Sequence, residues 1–269
     1  MKTYIYIIAT FLILVLISSC EKNADIDIPD NEPQLVVAAF ISSQNDTISL
    51  KVSMSHPIYY SSGSVQLNYD EVTAVVSSGG INHNLTFDNH NLTFFSDKVQ
   101  FNAGDNLKLN VSYRGEKVTS ECTIITEPVY DFEYLGSETK TYKDGYSEGI
   151  HKFKITCNNG NDINYYRLNS NFYMYNYWYS NYYESDLYEF AKGETRTIEI
   201  RGDHDLQADS MKVYIINCDE HYYLYHKNLG NSYEKGPFTE PIIMYNNVEG
   251  GLGIFSSYNM QLEKYEINK

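Results

Sequence analysis

The chain has 269 residues and a formal net charge of −15, from 35 acidic and 20 basic side chains, and 27 of its residues are tyrosine. A surplus of that sign repels phosphate backbones and no Lys/Arg cluster offsets it, so nucleic-acid binding is excluded. The length suffices for one large or two modest domains with real cores.

The first element, residues 1–19, is an export signal. "MKTY" carries one Lys, "IYIIATFLILVL" is an uncharged apolar run of twelve, and "ISSC" puts Ser18 and Ser19 before Cys20. That order of basic end, apolar stretch and small residues describes a cleaved signal. The run is shorter than the ~18 residues a membrane-spanning helix needs. The small residues before Cys20 resemble the lipobox of bacterial lipoproteins, which implies removal of residues 1–19 and lipidation of Cys20 into a bilayer. Several acyl chains on one residue anchor stably, because each buried methylene contributes about 0.8 kcal/mol. Residues 20–32, "CEKNADIDIPDNE", are polar and acidic, without hydrophobic periodicity, and read as a flexible tether. Glu21, Lys22, Asp25 and Asp27 are similar to the acidic signal of Bacteroidota lipoproteins displayed on the cell surface. The expected location is the outer membrane, lipid-anchored and facing outward, with the periplasmic leaflet as the alternative.

Residues 33–127 read as short strands separated by turn residues. "QLVVAAFI" is an apolar run; "DTISLKVSM" alternates, with Ile48, Leu50 and Val52 on one face. "EVTAVVSS" stops at Gly79-Gly80, a hairpin signal. "HNLTF" and "NLTFF" follow, and "DNLKLNVSYRGEKVTSECTII" supplies two strands turning at Arg114-Gly115. In the first of these Leu107, Leu109, Val111 and Tyr113 alternate with polar residues, the period of a half-buried strand. About seven strands in so short a span suit an immunoglobulin-like sandwich. The fold class predicted for the whole chain is all-β, this sandwich being followed by a second β-rich domain, residues 128–269, with one short helix.

In that second domain "GIHKFKITC" alternates, and "DINYYRLNSNFYMYNYWYSNYY" follows as an unusually long strand. Read as one strand, Tyr173, Tyr175, Tyr177 and Tyr179 share a face, and Phe172, Met174, Asn176 and Trp178 share the other. The Phe/Met/Trp face is the more apolar and is assigned to the core. Two readings of the tyrosine face stand side by side. It is covered by another part of the same domain, or it is a contact surface for a glycan, a peptide or a partner, since tyrosine offers broad area, few torsions and a hydroxyl. "GETRTIEI" and "DSMKVYIIN" are two more strands. "CDEHYYLYHKNLG" changes period to a helix of about ten residues, capped by Asp219 and closed by Gly230. Cys157 and Cys218 end strand-like runs in the same half and are the candidate disulfide; three buried thiols are the alternative.

The most specific stretch is "GPFTEPIIMYNNVEGGLGIFSSYNM", residues 236–260. Its glycines lack the Lys-Ser/Thr pair and the strand–helix frame of a phosphate loop, so they read as places where the backbone turns tightly beside packed aromatics. Pro237, Phe238, Glu240, Pro241, Tyr245, Asn247, Glu249, Gly250, Gly251, Leu252, Gly253, Ile254 and Phe255 resemble the signature of a Bacteroidota lipoprotein family, catalogued as domain of unknown function 4249. "IDIP" after Cys20, "QLVV", "NYYRL" and "DEHYYLYHKNL" resemble it too. The likeness fades in the middle of the first domain and at the tyrosine-rich insert. It implies an exported all-β lipoprotein commonly encoded beside a TonB-dependent outer-membrane receptor, and hence an accessory or capture role in uptake with that receptor as partner. It supplies no catalytic residues.

Signatures of catalysis are few in the chain. There is no His-Glu-x-x-His helix, Gly-x-Ser-x-Gly elbow or Walker loop. His221 and His226 are five apart, off a shared helix face. The cluster Asp203, His204, Asp205 does not follow calcium-loop spacing, and Arg201-Gly202-Asp203 is ordinary turn chemistry. Glu184, Asp186 and Glu189 are the carboxylates a glycosidase reading would use. No enzyme activity, cofactor or metal is expected; a hydrolase is the least favoured alternative. Asp46-Thr47-Ile48 and Asp209-Ser210-Met211 resemble Bacteroidota O-glycosylation sites, at Thr47 and Ser210.

Overall fold

Seven strands form where alternation predicts them: β1 (Leu35–Ile41), β2 (Ile48–Met54), β3 (Val72–Ser78), β4 (Ile81–Asp88), β5 (Thr93–Ser96), β6 (Asn106–Tyr113) and β7 (Glu116–Thr123). The computed structural model describes residues 32–56, 67–174, 176–180, 186–202, 208–233 and 243–267. Ile48, Leu50 and Val52 are all buried, as are Leu107, Leu109, Val111 and Tyr113. Two tight turns have the expected chemistry. Gly79 and Gly80 join β3 to β4, and Arg114 and Gly115 join β6 to β7, all four with positive φ. That geometry matches the right-handed twist of the strands it connects.

The second half adds β8 (Tyr130–Thr141), β9 (Ser147–Cys157), β10 (Ile163–Met174), β11 (Tyr177–Ser180), β12 (Asp186–Ala191), β13 (Thr195–Gly202), β14 (Ser210–Cys218), the helix α1 (Glu220–Tyr233) and β15 (Leu252–Glu266). The protein is thus all-β and sandwich-like, with one α-helix among the described residues. A continuous path of paired strands runs β11-β10-β14-β15-β1-β2-β5-β4-β3-β6-β7, with β12 also on β10, and β13-β9-β8 form a separate sheet. The last strand, β15, lies between β14, antiparallel to it, and β1, parallel to it, with Val37 opposite Gly253 and Ala39 opposite Phe255.

Two cores result. The first fills the space among β1 to β7 and takes Val248 and Phe255 from the carboxy-terminal segment. The second is sandwiched between the β13-β9-β8 sheet and the inner face of β10 and β14, around Phe153, Ile155, Tyr166, Phe190 and Met211. Each such side chain contributes about 1.5–3 kcal/mol by leaving water. Tyr166 is fully buried, so its hydroxyl needs partners. It donates to Asn159 Oδ1, with the Val129 carbonyl also within reach, and accepts from the Cys157 thiol.

The candidate disulfide does not form. Cys122, Cys157 and Cys218 are free, buried thiols. Cys157 faces the second core, whereas Cys218 belongs to a separate cluster with Tyr222 and Tyr223 of α1. The two thiols therefore sit on opposite faces of the β10–β14 layer, and no rotamer can bridge a sheet. Burial raises the pKa of Cys122 and of Cys218, which keeps both as unreactive thiols.

The helix starts where predicted and ends later. Asp219 Oδ1 accepts the Tyr222 backbone N–H at 2.8 Å, the bond expected of an N-cap. Gly230 does not close α1, which continues to Tyr233; one glycine inside a helix costs only about 1 kcal/mol. His226 is held within that packing, its ring 4.0 Å from Tyr222 and 5.3 Å from Phe40, with Nδ1 bonded to the Tyr222 carbonyl at 2.9 Å.

Burial, aided by the Arg167 cation, pushes the His226 pKa from 6.5 down to about 4. The unfolded chain then takes up a proton between those values that the folded protein refuses. The stabilisation is complete above the unfolded value and fades as pH falls through the window. Each pKa unit corresponds to about 1.4 kcal/mol, and solvent screening of this half-buried ring reduces the total to roughly 2 kcal/mol. Denaturant unfolding at steps from neutral to acidic pH is expected to show this loss, and His226→Gln to remove it. Parallel curves for the two proteins would exclude His226 as its source.

Candidate functional site: an aromatic hairpin and a polar cleft

The expected long strand breaks at Asn176, which adopts φ +66°, a left-handed conformation that Asn tolerates better than most residues. The chain doubles back, and β11 pairs antiparallel with β10: Phe172 opposite Tyr179, Tyr173 opposite Trp178, Met174 opposite Tyr177. This corrects the tyrosine face. A strand that reverses exchanges its faces, so Tyr177 and Tyr179 lie on the side of Phe172, while Tyr173 is joined by Trp178, the residue assigned to the core. Tyr175 lies outside the described residues. Phe172 is buried, but Tyr177, Trp178 and Tyr179 are 69%, 42% and 44% exposed. The aromatic stretch thus serves both purposes: Phe172 walls the second core, while Tyr177, Trp178 and Tyr179 face solvent.

On the outer face, the Tyr173 and Trp178 ring centroids are 5.1 Å apart. Lys212 Nζ lies 3.8 Å from the Trp178 ring centroid, a cation–π contact. Lys212 stands opposite Asn171 on β10 and opposite Lys264 on β15. Leu262 and Met260 continue the face along β15 and are 42% and 37% exposed. Sequence reading missed Lys212 and Lys264. Their alternation with buried or half-buried residues in "SMKVYIIN" and "MQLEKYE" marks them as outward-facing, but only strand pairing brings Lys212 to Trp178 and Lys264 opposite Lys212.

The carboxy-terminal motif does different work. Gly250, Gly251 and Gly253 sit where an added Cβ would collide with the carbonyls of Lys117, Leu35 and Val37 respectively. Glycine is required there for close approach of two backbones. Asn246 Oδ1 accepts the N–H groups of Val248 and Gly253, and Asn247 makes paired bonds to Phe255 at 2.7 and 3.0 Å. Glu249 exchanges two backbone bonds with Thr119 on β7. The motif is a clasp closing the carboxy-terminal segment onto β1 and β7.

Beside the clasp opens a cleft of about 430 Å³ lined by Lys108, Ser120, Glu121, His221, Asn247 and Glu249 among others. Its polar groups are largely engaged. Lys108 pairs with Glu121 at 2.7 Å, Ser120 Oγ donates to the Asn247 carbonyl at 2.7 Å, and His221 Nδ1 meets the Tyr245 hydroxyl at 2.6 Å. No group of three or more His, Cys, Asp or Glu among the described residues could hold a metal ion.

The remaining sequence candidates are scattered. Thr47 is exposed just before β2, its hydroxyl donating to Asp46 at 3.1 Å. Ser210 is half-buried at the first position of β14, opposite Tyr173 and Glu266. Glu189 is an exposed residue of β12. Cys20, Glu184, the cluster Asp203–His204–Asp205, and Pro237 to Pro241 lie outside the described residues.

A family model described as a domain of unknown function (DUF4249) matches residues 21–263. No curated protein matches the chain. Among solved structures it is similar to the crystal structure of a DUF3823 family protein from Parabacteroides merdae ATCC 43184, at 10% identity over 70% of this chain and 92% of that one. The TM-score of that pair is 0.18, so the likeness carries no conclusion about fold or role.

Proposed function

Since the chain belongs to the DUF4249 family, which is described only as a domain of unknown function, we propose that it works by contact rather than by catalysis. It is an outer-membrane lipoprotein, anchored through Cys20 and facing outward, that serves as accessory or capture subunit of a TonB-dependent receptor in nutrient uptake. The observation that carries this reading is the β10–β11 hairpin, which holds Tyr177, Trp178 and Tyr179 in solvent at an end of the paired strands. Clustered exposed aromatics mark interaction surfaces, and an end strand offers unpaired backbone groups to a partner. In the cleft Ser120 and Asn247 serve the clasp and Lys108 and Glu121 pair with each other, which argues against a catalytic use of them.

A second reading, an independent glycan- or peptide-binding lipoprotein, is favoured by the pairing of Tyr173 with Trp178 in place of the all-tyrosine face. Affinity purification of the tagged, full-length protein in mild detergent is expected to recover a TonB-dependent receptor, identified by mass spectrometry. Cys20→Ser is expected to leave the membrane fraction and lose the receptor. An eluate without receptor, from cells that express it, would reject the accessory role and leave the independent binder.

A further inference from the structure

Resting on the capture reading, we propose that the outer face of β11, β10, β14 and β15 binds an acidic oligosaccharide, its pyranose rings against Trp178 and Tyr173 and its anionic groups between Lys212 and Lys264. Two independent features point there. The first is the pair of lysines. Lys212 and Lys264 are directly opposite in the β14–β15 ladder, where like charges destabilise a sheet. Neither enters any of the ion pairs among the described residues. Glu266 shares this face of β15 and also makes no ion pair there. In a chain with a net charge of −15, two facing ammoniums outside any ion pair are a place for an external anion, and Glu266, in the row of Ser210 and Tyr173, bounds that place on one side.

The second feature is the adjoining aromatic surface. Trp178 and Tyr173 present ring faces whose negative quadrupole attracts the polarised C–H groups of a sugar ring. The Lys212 ammonium already rests on Trp178 at 3.8 Å from the centroid, so one short side-chain movement carries it from ring to anion. Asn171 and Ser210 lie on the same face and supply polar groups for sugar hydroxyls.

Four strands about 4.8 Å apart span roughly 14 Å, and three outward positions along a strand cover about the same length. That charged and aromatic part of the face matches a few sugar residues.

The test titrates the full-length protein in detergent, at low salt, with tetragalacturonate, a heparin-derived tetrasaccharide, neutral maltotetraose and tetraglutamate. At least one acidic tetrasaccharide is expected to bind, more weakly as salt rises, and the two arms separate carboxylate from sulfate as the anionic group. Maltotetraose and tetraglutamate are expected to bind at least tenfold less tightly. Lys212→Glu, Lys264→Glu and Trp178→Ala should each weaken binding tenfold or more, while Lys117→Glu, on β7 at the far end of the sheet path, leaves it unchanged. The proposal is overturned if neither acidic tetrasaccharide binds, if maltotetraose or tetraglutamate binds as tightly, or if Lys117→Glu has the effect of Lys212→Glu. Lys264→Glu changes an outward charge that no aromatic ring touches, so it remains informative where Trp178→Ala, or loss of the Lys212 contact with Trp178, alters the hairpin. Receptor recovery measured on the wild type separates the two ideas: a wild-type protein that retains the receptor and binds neither acidic tetrasaccharide removes this inference and leaves the accessory role standing.

Discussion

Gly253→Ala is expected to leave the chain without a stable fold at growth temperature. Gly253 has φ +131° and stands opposite Val37 in the parallel ladder of β1 and β15. An added Cβ there would lie inside the Val37 peptide group, near its N, C and O atoms at once. A side chain at positive φ costs about 1–3 kcal/mol, and overpacking adds about 1–3 kcal/mol or more. The obstacle here is backbone, which no rotamer change relieves. Moving β15 away from Val37 would also strip the first core of Phe255. A total above about 4 kcal/mol consumes much of the roughly 5–15 kcal/mol that stabilises a typical domain. Gly136→Ala is the comparator: φ there is +110°, but an added Cβ meets nothing within 4 Å. It should cost only about 1–2 kcal/mol, from the backbone alone. Denaturant unfolding of both variants checks this, and equal losses would show that the close approach to Val37 is not what demands glycine.

Asp219→Ala is expected to cost roughly 2–4 kcal/mol, and to cost most at acidic pH. One carboxylate oxygen caps α1 at Tyr222, and the other accepts the Ser257 N–H of β15 at 2.8 Å. Losing a cap costs about 1 kcal/mol. Stranding the donor on Ser257, which is fully buried, costs about 1–3 kcal/mol more. The pH dependence runs opposite to that of an ordinary surface carboxylate. Burial raises the Asp219 pKa above 3.8, against the bonds from Tyr222 and Ser257 that lower it. The folded protein then holds a proton that the unfolded chain has released. Stability contributed by this group is greatest below the unfolded value and declines as pH rises through the raised one. Urea unfolding of the wild type and of Asp219→Ala at about pH 4 and about pH 8 should give the larger difference at the acidic end. A difference that grows toward alkaline pH would mean the carboxyl is not held protonated by burial.

The two glycine and carboxylate effects share a cause, the insertion of β15 between β1 and β14. That strand links the two cores, so the clasp at Asn246 to Phe255 and the cap at Asp219 act at opposite sides of one junction. The outer face carrying Trp178 and Lys212 uses the same strand, which supplies Lys264, Leu262 and Met260. A site for contact is built on an element whose own position depends on motif glycines some ten residues earlier.

Much of the fold was legible in the chain because alternation is a local property. A residue's place on the pleat determines its face, so Ile48, Leu50 and Val52, or Leu107 through Tyr113, declare a buried side without reference to any partner. Asp219 declared a helix start for the same reason, since a cap acts within three residues. The Asn176 turn was written only faintly. Asn in "MYNYW" tolerates a left-handed backbone, yet the unbroken aromatic run reads equally well as a straight strand, and one reversal reassigned every tyrosine beyond it.

What the amino-acid order determined by itself was the all-β class, the position and buried side of most strands, the helix start, and the membership of the family. Tertiary structure alone decided that the last strand lies beside the first, that Cys157 and Cys218 are separated by a sheet, and that Trp178 rather than a row of tyrosines meets Lys212 on the outer face. The reason is physical: a strand's period is set by its own backbone, whereas its neighbours are chosen by contacts between residues as much as two hundred positions apart, and those depend on every other element having found its place.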